Sequence, residues 1–280
     1  MEIQKQVKVS IIMGIYNCEA TLPRAIDSVL DQTYSNWELI MCDDASKDGT
    51  YEVARKYADS HPNQVKLLRN EENKKLAYSL NRCLEVATGE YVARMDADDL
   101  NLPQRIEKEA EFLTEHPEYD LVSCRAIVFD ENGTRGVRDT AGEHFKEEMI
   151  RNLPFLHPTI MVRKITFDQL NGYTVSKRTE RGQDVDLYFR FFAEGHRGYT
   201  IEDALYQYHE SMNDFKKRSF KVAINTCQTN IYGHRLLRFP LRYRIYALRP
   251  ILSALIPGRL KYLRRNYMES KQLKKSGESQ

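Results

Sequence analysis

Short apolar runs alternate with amphipathic stretches along the first hundred residues. Four runs rich in β-branched or aromatic residues predict buried strands, at residues 7–16, 37–42, 65–68 and 91–95. The stretches between them carry apolar residues at helical spacing and predict helices, over residues 21–30, around residues 53–57 and over residues 76–87. This β-α-β-α-β-α-β order predicts an α/β fold with a mainly parallel central sheet and helices on both faces.

Polar clusters follow three of the four predicted strands. They occupy residues 16–17, 43–44 and 96–99. In open α/β sheets, ligands bind outside the carboxyl ends of the strands. We therefore expect the three clusters to converge on one crevice.

The third cluster holds three carboxylates, Asp96, Asp98 and Asp99, within four positions. Neighbouring carboxylates repel one another and need a cation, hydrogen-bond donors or water around them. Mg²⁺ and Mn²⁺ suit carboxylate oxygens, and Mg²⁺ is usually held by one or two carboxylates plus substrate phosphates. The alternative is a solvated acidic turn that caps the helix predicted to begin near Pro103.

Two common nucleotide-binding motifs are missing. No G-x-G-x-x-G follows the first strand, and no G-x-x-x-x-G-K-[ST] occurs in the chain. An acidic crevice repels a phosphate unless a divalent metal lies between them. A metal-mediated phosphate site is therefore the chemistry that the cluster favours.

The composition is that of an ordinary globular protein of 280 residues. Its five cysteines are scattered and form no C-x-x-C pair, which argues against a disulfide framework or a cysteine zinc site. The first residues lack the apolar core of a signal peptide, and no run of 18 apolar residues predicts a spanning helix. We expect a cytoplasmic protein.

Charge divides the chain into two parts. Residues 215–268 contain 13 Lys/Arg and no Asp/Glu, whereas residues 1–214 carry a net charge of about −12. This asymmetry predicts two parts with different functions, one at residues 1–212 and a basic helical part at residues 213–280.

The basic part is also apolar and aromatic, especially over residues 236–250 and 259–268. Short helices with apolar and cationic faces are typical of segments that lie at a membrane surface. Basic residues near an anionic cytoplasmic leaflet contribute about 1 kcal/mol each. We prefer this interpretation to packing on the protein itself or on a second subunit. Nucleic acid is the least favoured partner, because the acidic part repels phosphates.

Six motifs occur in order along the chain. They are V-S-I-I-M-x-x-Y-N (9–17), C-D-D-A-S-x-D-G-T (42–50), L-A-x-S-L-N (76–81), G-E-Y-V-A-R-M-D-A-D-D (89–99), H-P-T-I-M-V-R (157–163) and Q-D-V-D-L (183–187). Together they resemble family 2 glycosyltransferases of the GT-A fold, over roughly residues 7–210. The resemblance implies an inverting enzyme with a nucleotide-sugar donor.

The resemblance also implies roles for residues at the strand ends. Ile15 and Tyr16 would border the base, and Asp44 would hydrogen-bond the uracil, which offers an N–H donor and a face for stacking. The alternative for Asp44 is a helix cap or Asx-turn. Arg94 and Asp96 would lie on the donor, with Asp96 near the ribose and the metal.

The metal would be Mg²⁺ or Mn²⁺, coordinated by Asp98 with Asp96, while Asp99 either assists or caps the next helix. His209 would reach the metal or the diphosphate. His157 would approach the donor or acceptor, although a structural histidine is an equal alternative. In this chain Gln207 and Lys75 stand where the family usually has Arg and often has Gly.

By the same resemblance, Asp184 is the catalytic carboxylate that takes the proton from the acceptor hydroxyl. The family usually has Glu-Asp here; with Gln183 the base is kept but a neighbouring charge that would raise its pKa is lost. Asp186 is the fallback candidate.

These expectations combine into a metal-dependent inverting transferase that moves a sugar, from a UDP-sugar by preference, to an acceptor hydroxyl. The expected acceptor is a saccharide, in particular a lipid-linked saccharide of surface polysaccharide synthesis, at the inner face of the cell membrane. The alternative is a nucleotide-sugar-binding protein without transfer activity. A nucleotidyltransferase is disfavoured because the glycines and lysine of a phosphate loop are missing. The sugar, the linkage and the oligomeric state are not specified by the sequence.

Overall fold

The computed structural model describes residues 6–138, 140–211 and 220–277, with side chains as far as residue 268. The strands are β1 (Val9–Ile15), β2 (Trp37–Asp43), β3 (Val65–Arg69), β4 (Tyr91–Arg94), β5 (Leu100–Asn101), β6 (Leu121–Asp130), β7 (Gly133–Arg138), β8 (Gly142–His144), β9 (Ile160–Arg163) and β10 (Gly198–His209). The helices are α1 (Leu22–Leu30), α2 (Thr50–Ser60), α3 (Leu76–Val86), α4 (Arg105–Glu115), α5 (Lys164–Gln169), α6 (Gln183–Ala193), α7 (Phe220–Leu236), α8 (Arg249–Ala254) and α9 (Gly258–Gly277). The four strands and three helices predicted in the first hundred residues all form, with ends within two residues of prediction for every range that was given.

The described strands form one sheet in the order β3-β2-β1-β4-β9-β6-β10-β5, with β7 beside β6 and β8 beside β10. The four strands at one side, β3, β2, β1 and β4, are parallel. Beyond them β9 runs antiparallel between β4 and β6, while β10 runs parallel to β6. The α/β class is confirmed, and the mixed half of the sheet is built by residues from 100 onward.

Helices cover both faces because the buried strands alternate their side chains. Ile11 and Met13 of β1 pack with α1, α2 and α4, whereas Ile12 packs with α3, α5 and α6. The second core also takes in Leu237 and Phe239, which follow α7. The carboxyl ends of β1, β2 and β4 remain open, which is where the polar clusters lie.

The basic part packs on the rest of the chain through one face. Helix α7 lies against α6, where Gly233 faces the ring of Phe189 so closely that an added Cβ would come within 2.1 Å of it. Helix α9 lies on β7, and the Tyr262 hydroxyl donates to the Asp130 carboxylate at 2.5 Å. The predicted boundary at residues 212/213 lies outside the described residues.

Another face of the basic part is apolar and open to solvent. Leu241 is 75% exposed, Leu252 63% and Leu255 72%. No helix in the described part of the chain is both long and apolar enough to cross a bilayer. Packing on the protein therefore occurs, and it leaves an apolar surface available to a partner.

Candidate active site

The loops after β1 and β2 are joined by hydrogen bonds at the open edge of the sheet. The Asp44 N–H donates to the Ile15 carbonyl at 2.9 Å, and the Lys47 N–H donates to Asn17 Oδ1 at 2.8 Å. Ile15 is buried, whereas the ring of Tyr16 is 43% exposed. The exposed ring at this edge can stack on a planar ligand.

The Asp44 carboxylate is buried and accepts three hydrogen bonds from the segment after β3. The donors are Asn70 Nδ2 at 2.8 Å, the Lys74 N–H at 2.7 Å and the Lys75 N–H at 2.8 Å. Asp44 thus organises the loop that leads into α3, which differs from the helix cap or Asx-turn considered from the sequence. Carboxylate oxygens have about four acceptor sites, so one further donor can still be bound.

Lys75 has a strained backbone beside Asp44. Its φ is 73° and its ψ is 164°, a region that glycine adopts easily and other residues rarely. The strained residue donates its backbone N–H to Asp44, so the strained backbone is part of the loop that surrounds this carboxylate. Glycine would adopt the same backbone geometry with less strain, because it has no Cβ.

The three carboxylates after β4 lie together. One oxygen from each of Asp96, Asp98 and Asp99 falls within 4.8 Å of the others. Asp98 is exposed, and its Oδ2 lies 3.7 Å from His209 Nδ1 at the end of β10. Asp96 accepts hydrogen bonds from Nη1 and Nη2 of Arg94, the first at 2.7 Å. The strand pairing of β4 and β10 with their neighbours thus brings residues 94–99 and 209 to one place.

Asp99 is buried and is held by β10. It accepts from the Tyr206 hydroxyl at 2.8 Å and from the His209 N–H at 2.7 Å. The Tyr206 oxygen also accepts the Asp96 N–H at 3.1 Å. Burial, reinforced by the Asp96 and Asp98 charges, raises the pKa of Asp99 well above its usual value. Asp99 therefore fixes the loop, and Asp98 and Asp96 are the carboxylates that face the crevice.

A buried arginine holds this loop from below. Arg105 donates to the Arg94 carbonyl at 3.0 Å, to Asn101 Oδ1 at 2.6 Å and to Glu109 at 3.2 Å, and its guanidinium lies 4.8 Å from the Tyr206 ring centre. Burial raises the pKa of Glu109 to about 7, and the Arg105 charge opposes the shift. Arg105 thereby ties β4, β5, α4 and β10 together under the carboxylates.

His157 and Tyr173 lie under the same site. His157 is buried, with Nε2 2.9 Å from the Tyr173 hydroxyl. Burial and the nearby Arg94 charge lower the pKa of His157 well below its usual value, so the ring is neutral at physiological pH. The unprotonated nitrogen of a neutral imidazole can accept a hydrogen bond from the Tyr173 hydroxyl and orient it.

Asp184 stands in the first turn of α6. Burial raises the pKa of its carboxyl, while the Val185 N–H and the Arg94 charge oppose the shift. The negative charge of Asp184 in turn helps to raise the pKa of Asp96, because the two carboxylates repel each other.

Asp186, two residues later, has a different environment. Its carboxylate is fully buried and pairs with Arg178 at 2.5 Å and Arg190 at 2.9 Å, and it accepts from Thr174 at 2.5 Å. Because this carboxylate is buried and already bonded to three side chains, it has a structural role and cannot reach the proton of a substrate. The geometry favours Asp184 over the fallback candidate.

A cavity of about 720 Å³ joins these groups. Asp96, Asp98, Asp184 and His209 line it together with residues of the basic part, namely Val222, Thr226, Asn230, Arg249, Ser253 and Lys261. Ile15, Tyr16 and Asp44 do not line it, so the cavity extends from the carboxylates away from the ends of β1 and β2. Helices α7, α8 and α9 therefore complete the wall of the site.

The donor atoms at the carboxylate end fit a hard divalent cation. Asp98 and Asp96 supply oxygens, and His209 can supply an imidazole nitrogen, a set suited to Mg²⁺ or Mn²⁺. Two carboxylates leave coordination positions for phosphate oxygens, as Mg²⁺ sites usually do. Asp99 is less suited, because both of its oxygens already accept hydrogen bonds.

Comparisons with known proteins identify the family. The glycosyl transferase family 2 model matches residues 10–172. EpsE of Bacillus subtilis (strain 168) is 45% identical over 267 residues, which cover 95% of this chain and 96% of EpsE. The chain is a member of glycosyl transferase family 2.

Two further proteins are similar to this glycosyltransferase. WfgD of Escherichia coli, a UDP-Glc:alpha-D-GlcNAc-diphosphoundecaprenol beta-1,3-glucosyltransferase, is 37% identical over 126 residues, 43% of this chain and 49% of WfgD. The mannosyltransferase PcManGT from Pyrobaculum calidifontis, in complex with GDP-Man and Mn²⁺, aligns with a TM-score of 0.65 at 18% identity, covering 96% of this chain and 85% of PcManGT. The likeness confirms the predicted GT-A fold.

Several residues that build the site were not singled out from the sequence. Tyr206, Tyr173 and Glu109 make these contacts across 107, 16 and 4 positions of the chain, respectively. Arg105 bonds to the Arg94 carbonyl and to Asn101, contacts that no local sequence pattern predicts. From the sequence, a tyrosine such as Tyr206 in a buried strand is predicted to be a core residue. Its hydrogen bonds to Asp96 and Asp99 show that it also supports the site.

Proposed function

We propose that this glycosyltransferase is an inverting enzyme that transfers a sugar from a UDP-sugar donor, with Mg²⁺ or Mn²⁺, to an acceptor hydroxyl. One observation carries the proposal. Asp184 of α6 and the Asp96/Asp98 pair after β4 line one cavity although they are almost ninety residues apart. An inverting transfer needs a base on one side of the sugar and a held diphosphate on the other, and this cavity offers groups for both.

In this mechanism Tyr16 stacks on the base and Asp44 accepts its N–H. Asp98 and Asp96, with His209, would hold the divalent ion, which would supply positive charge to stabilise the departing diphosphate. Arg94 anchors Asp96 through two hydrogen bonds and keeps its carboxylate in position.

Asp184 accepts the proton of the attacking hydroxyl. Its raised pKa makes it a stronger base than an exposed aspartate, while the N–H groups of the first turn of α6 keep the ionised form available. His157 and Tyr173 support the floor of the site, with Tyr173 oriented by the neutral imidazole.

The test is release of UDP from a panel of UDP-sugars, with and without Mn²⁺, by the protein and by Asp184→Asn. Turnover should fall by about 10²–10⁴-fold in the variant, the contribution of a positioned general base, while UDP binding with Mn²⁺ stays within twofold. Asp186→Asn is the comparison variant and should show its loss in stability. Absence of turnover with every UDP-sugar and divalent ion would overturn the proposal in favour of a binding protein.

We further propose a lipid-linked saccharide acceptor and a position on the inner membrane surface. WfgD, a relative, is named for a diphosphoundecaprenol-linked acceptor. The apolar face with Leu252 and Leu255 is exposed beside a surface rich in arginine, including Arg259 and Arg264. Such a surface suits an anionic bilayer.

Truncating the basic part is a poor test of membrane binding, because it would remove Leu237 and Phe239 from the core and destabilise the fold. Leu252→Ser/Leu255→Ser removes two exposed apolar side chains and should release the protein from phosphatidylglycerol vesicles in a flotation assay. Ile165→Ser, which removes a side chain that is 60% exposed on α5, is the matched control and should float as before. Equal flotation of all three proteins would refute the membrane surface.

A further inference from the structure

The cavity that contains the carboxylates is also lined by four cations. Arg151 follows the short 3-10 helix Lys146–Ile150, Arg181 precedes α6, Arg249 begins α8 and Lys261 lies in α9. Four separate segments therefore direct positive charge into one space. Arg151, Arg181 and Arg249 form no ion pair with any carboxylate that the structure describes. Their charge is left for something that enters the cavity.

Two of these arginines are held in position by neutral groups. Arg151 donates to the Tyr246 hydroxyl at 2.7 Å, and its guanidinium lies 4.7 Å from the centre of that ring. Arg249 donates to the Arg151 carbonyl at 2.6 Å. These contacts order both side chains without cancelling their charge. Ordered, unneutralised arginines bind phosphate well, because each presents several N–H donors in a fixed plane.

The donor does not account for this second anion site. Its diphosphate is expected at Asp96 and Asp98 through the metal, and its base at Tyr16 and Asp44, outside this cavity. Two of the cations, Arg249 and Lys261, come from the basic part, and Arg249 is bonded to the Arg151 carbonyl. An anion bound there belongs to the other substrate, the acceptor.

Apolar residues also contribute to the cavity lining. Pro250 and Ala254 of α8 line the cavity, as does Leu153. Leu252 of the same helix and Leu255, directly after it, are exposed to solvent. A phosphate at Arg249 can therefore continue into a hydrocarbon chain that follows α8 to the proposed membrane surface.

We propose that Arg151, Arg181, Arg249 and Lys261 form a subsite for the diphosphate of an isoprenoid-linked acceptor, whose sugar then reaches Asp184. The proposal rests on the proposed function for the identity of the acceptor. The binding subsite itself can be tested without turnover, so the failure of one is distinguishable from the failure of the other.

The probe is farnesyl diphosphate, titrated calorimetrically into the full-length protein in EDTA. Without metal the carboxylates cannot hold a phosphate, so the titration reports on the cations alone. Farnesyl diphosphate should bind at least about tenfold more tightly than farnesol, the effect expected from one or two charge-assisted hydrogen bonds. Equal binding of the two probes would overturn the subsite.

Arg181→Gln is the sharpest variant, because its exposed side chain makes no hydrogen bond to any described residue. It should weaken farnesyl diphosphate binding about tenfold, with Arg181→Lys recovering part of the loss. Arg235→Gln, a change at an exposed arginine outside the cavity, is the control and should bind as wild type. An unchanged affinity in Arg181→Gln would contradict the proposal.

A membrane headgroup is the other source of phosphate. Dihexanoylphosphatidylglycerol, a soluble lipid with a single phosphodiester, should bind about tenfold more weakly than farnesyl diphosphate, because it offers fewer charged oxygens to the arginines. If it displaces farnesyl diphosphate at equal concentration, the cluster is a general lipid contact and the acceptor subsite is wrong. Thermal unfolding and UDP–Mn²⁺ binding of each variant confirm that the fold and the donor site are intact.

Discussion

Tyr206→Phe removes one oxygen that joins β10 to the carboxylate loop. Tyr206 is fully buried, and its hydroxyl donates to Asp99 at 2.8 Å while accepting the Asp96 N–H at 3.1 Å. The variant keeps the ring, including its contact with the Arg105 guanidinium. The change therefore isolates the two hydrogen bonds from the packing around them.

The expected loss follows from the two groups left behind. A buried carboxyl loses one of its donors, and a partly buried amide loses its acceptor. Net hydrogen bonds contribute about 0.5–3 kcal/mol, and a buried group left unpaired costs about 1–3 kcal/mol, so we expect a loss of about 2–5 kcal/mol in the free energy of unfolding. The loop also loses its anchor, and changing groups that orient metal ligands typically weakens metal affinity about 10–100-fold.

Urea unfolding in EDTA measures the first effect, and Mn²⁺ titration followed by electron paramagnetic resonance measures the second. Tyr199→Phe is the matched control. Tyr199 lies on the same strand with its ring stacked 5.0 Å from that of Phe112, and its hydroxyl bonds to no described residue. If Tyr206→Phe is as stable as Tyr199→Phe and binds Mn²⁺ equally well, the hydroxyl does not support the carboxylate loop.

Three further changes test other parts of the structure. Asp184→Asn should be more stable than wild type at pH 8, because burial raises the folded pKa of this carboxyl and its ionisation then lowers the free energy of unfolding. In urea unfolding below the usual aspartate pKa, where the carboxyl is protonated in both states, the gain should vanish. A gain that is independent of pH would contradict this explanation. Lys75→Gly should raise the free energy of unfolding by about 0.5–2 kcal/mol by relieving the backbone strain next to Asp44, and a lower urea midpoint would refute the strain. Gly233→Ala should lower the melting temperature, since the new Cβ falls 2.1 Å from the Phe189 ring and overpacking typically costs about 1–3 kcal/mol; an unchanged melting temperature would show that α7 can shift away from α6.

The strand ends could be predicted because each polar cluster follows a run of buried apolar residues. In a parallel sheet the carboxyl ends of all strands lie at the same edge, and ligands bind there. Residues 16–17, 43–44 and 96–99 were therefore expected at one edge. The loops after β1 and β2 do lie together, joined by the bond from Asp44 to the Ile15 carbonyl. The local sequence pattern is enough to predict which residues lie near each other where the strand topology alone determines it.

Roles within a cluster depend on contacts that no local pattern contains. Asp98 and Asp99 are adjacent identical residues, yet one is exposed and the other is buried against β10. Asp184 and Asp186 differ in the same way, since only Asp186 meets two arginines. These distinctions arise from pairings far apart in the sequence, which composition and periodicity do not encode.

The charge asymmetry of the chain acquires a spatial meaning at the cavity. The acidic part brings Asp98 and Asp184 to it, and the basic part brings Arg249 and Lys261. Two substrates that both carry diphosphate would compete for a uniformly basic site. A site with carboxylates at one end accepts a diphosphate only with a metal, whereas arginines accept one without it. Under the proposed function, chelation should therefore abolish donor binding and spare acceptor binding, so the metal requirement itself keeps the two diphosphates in separate places.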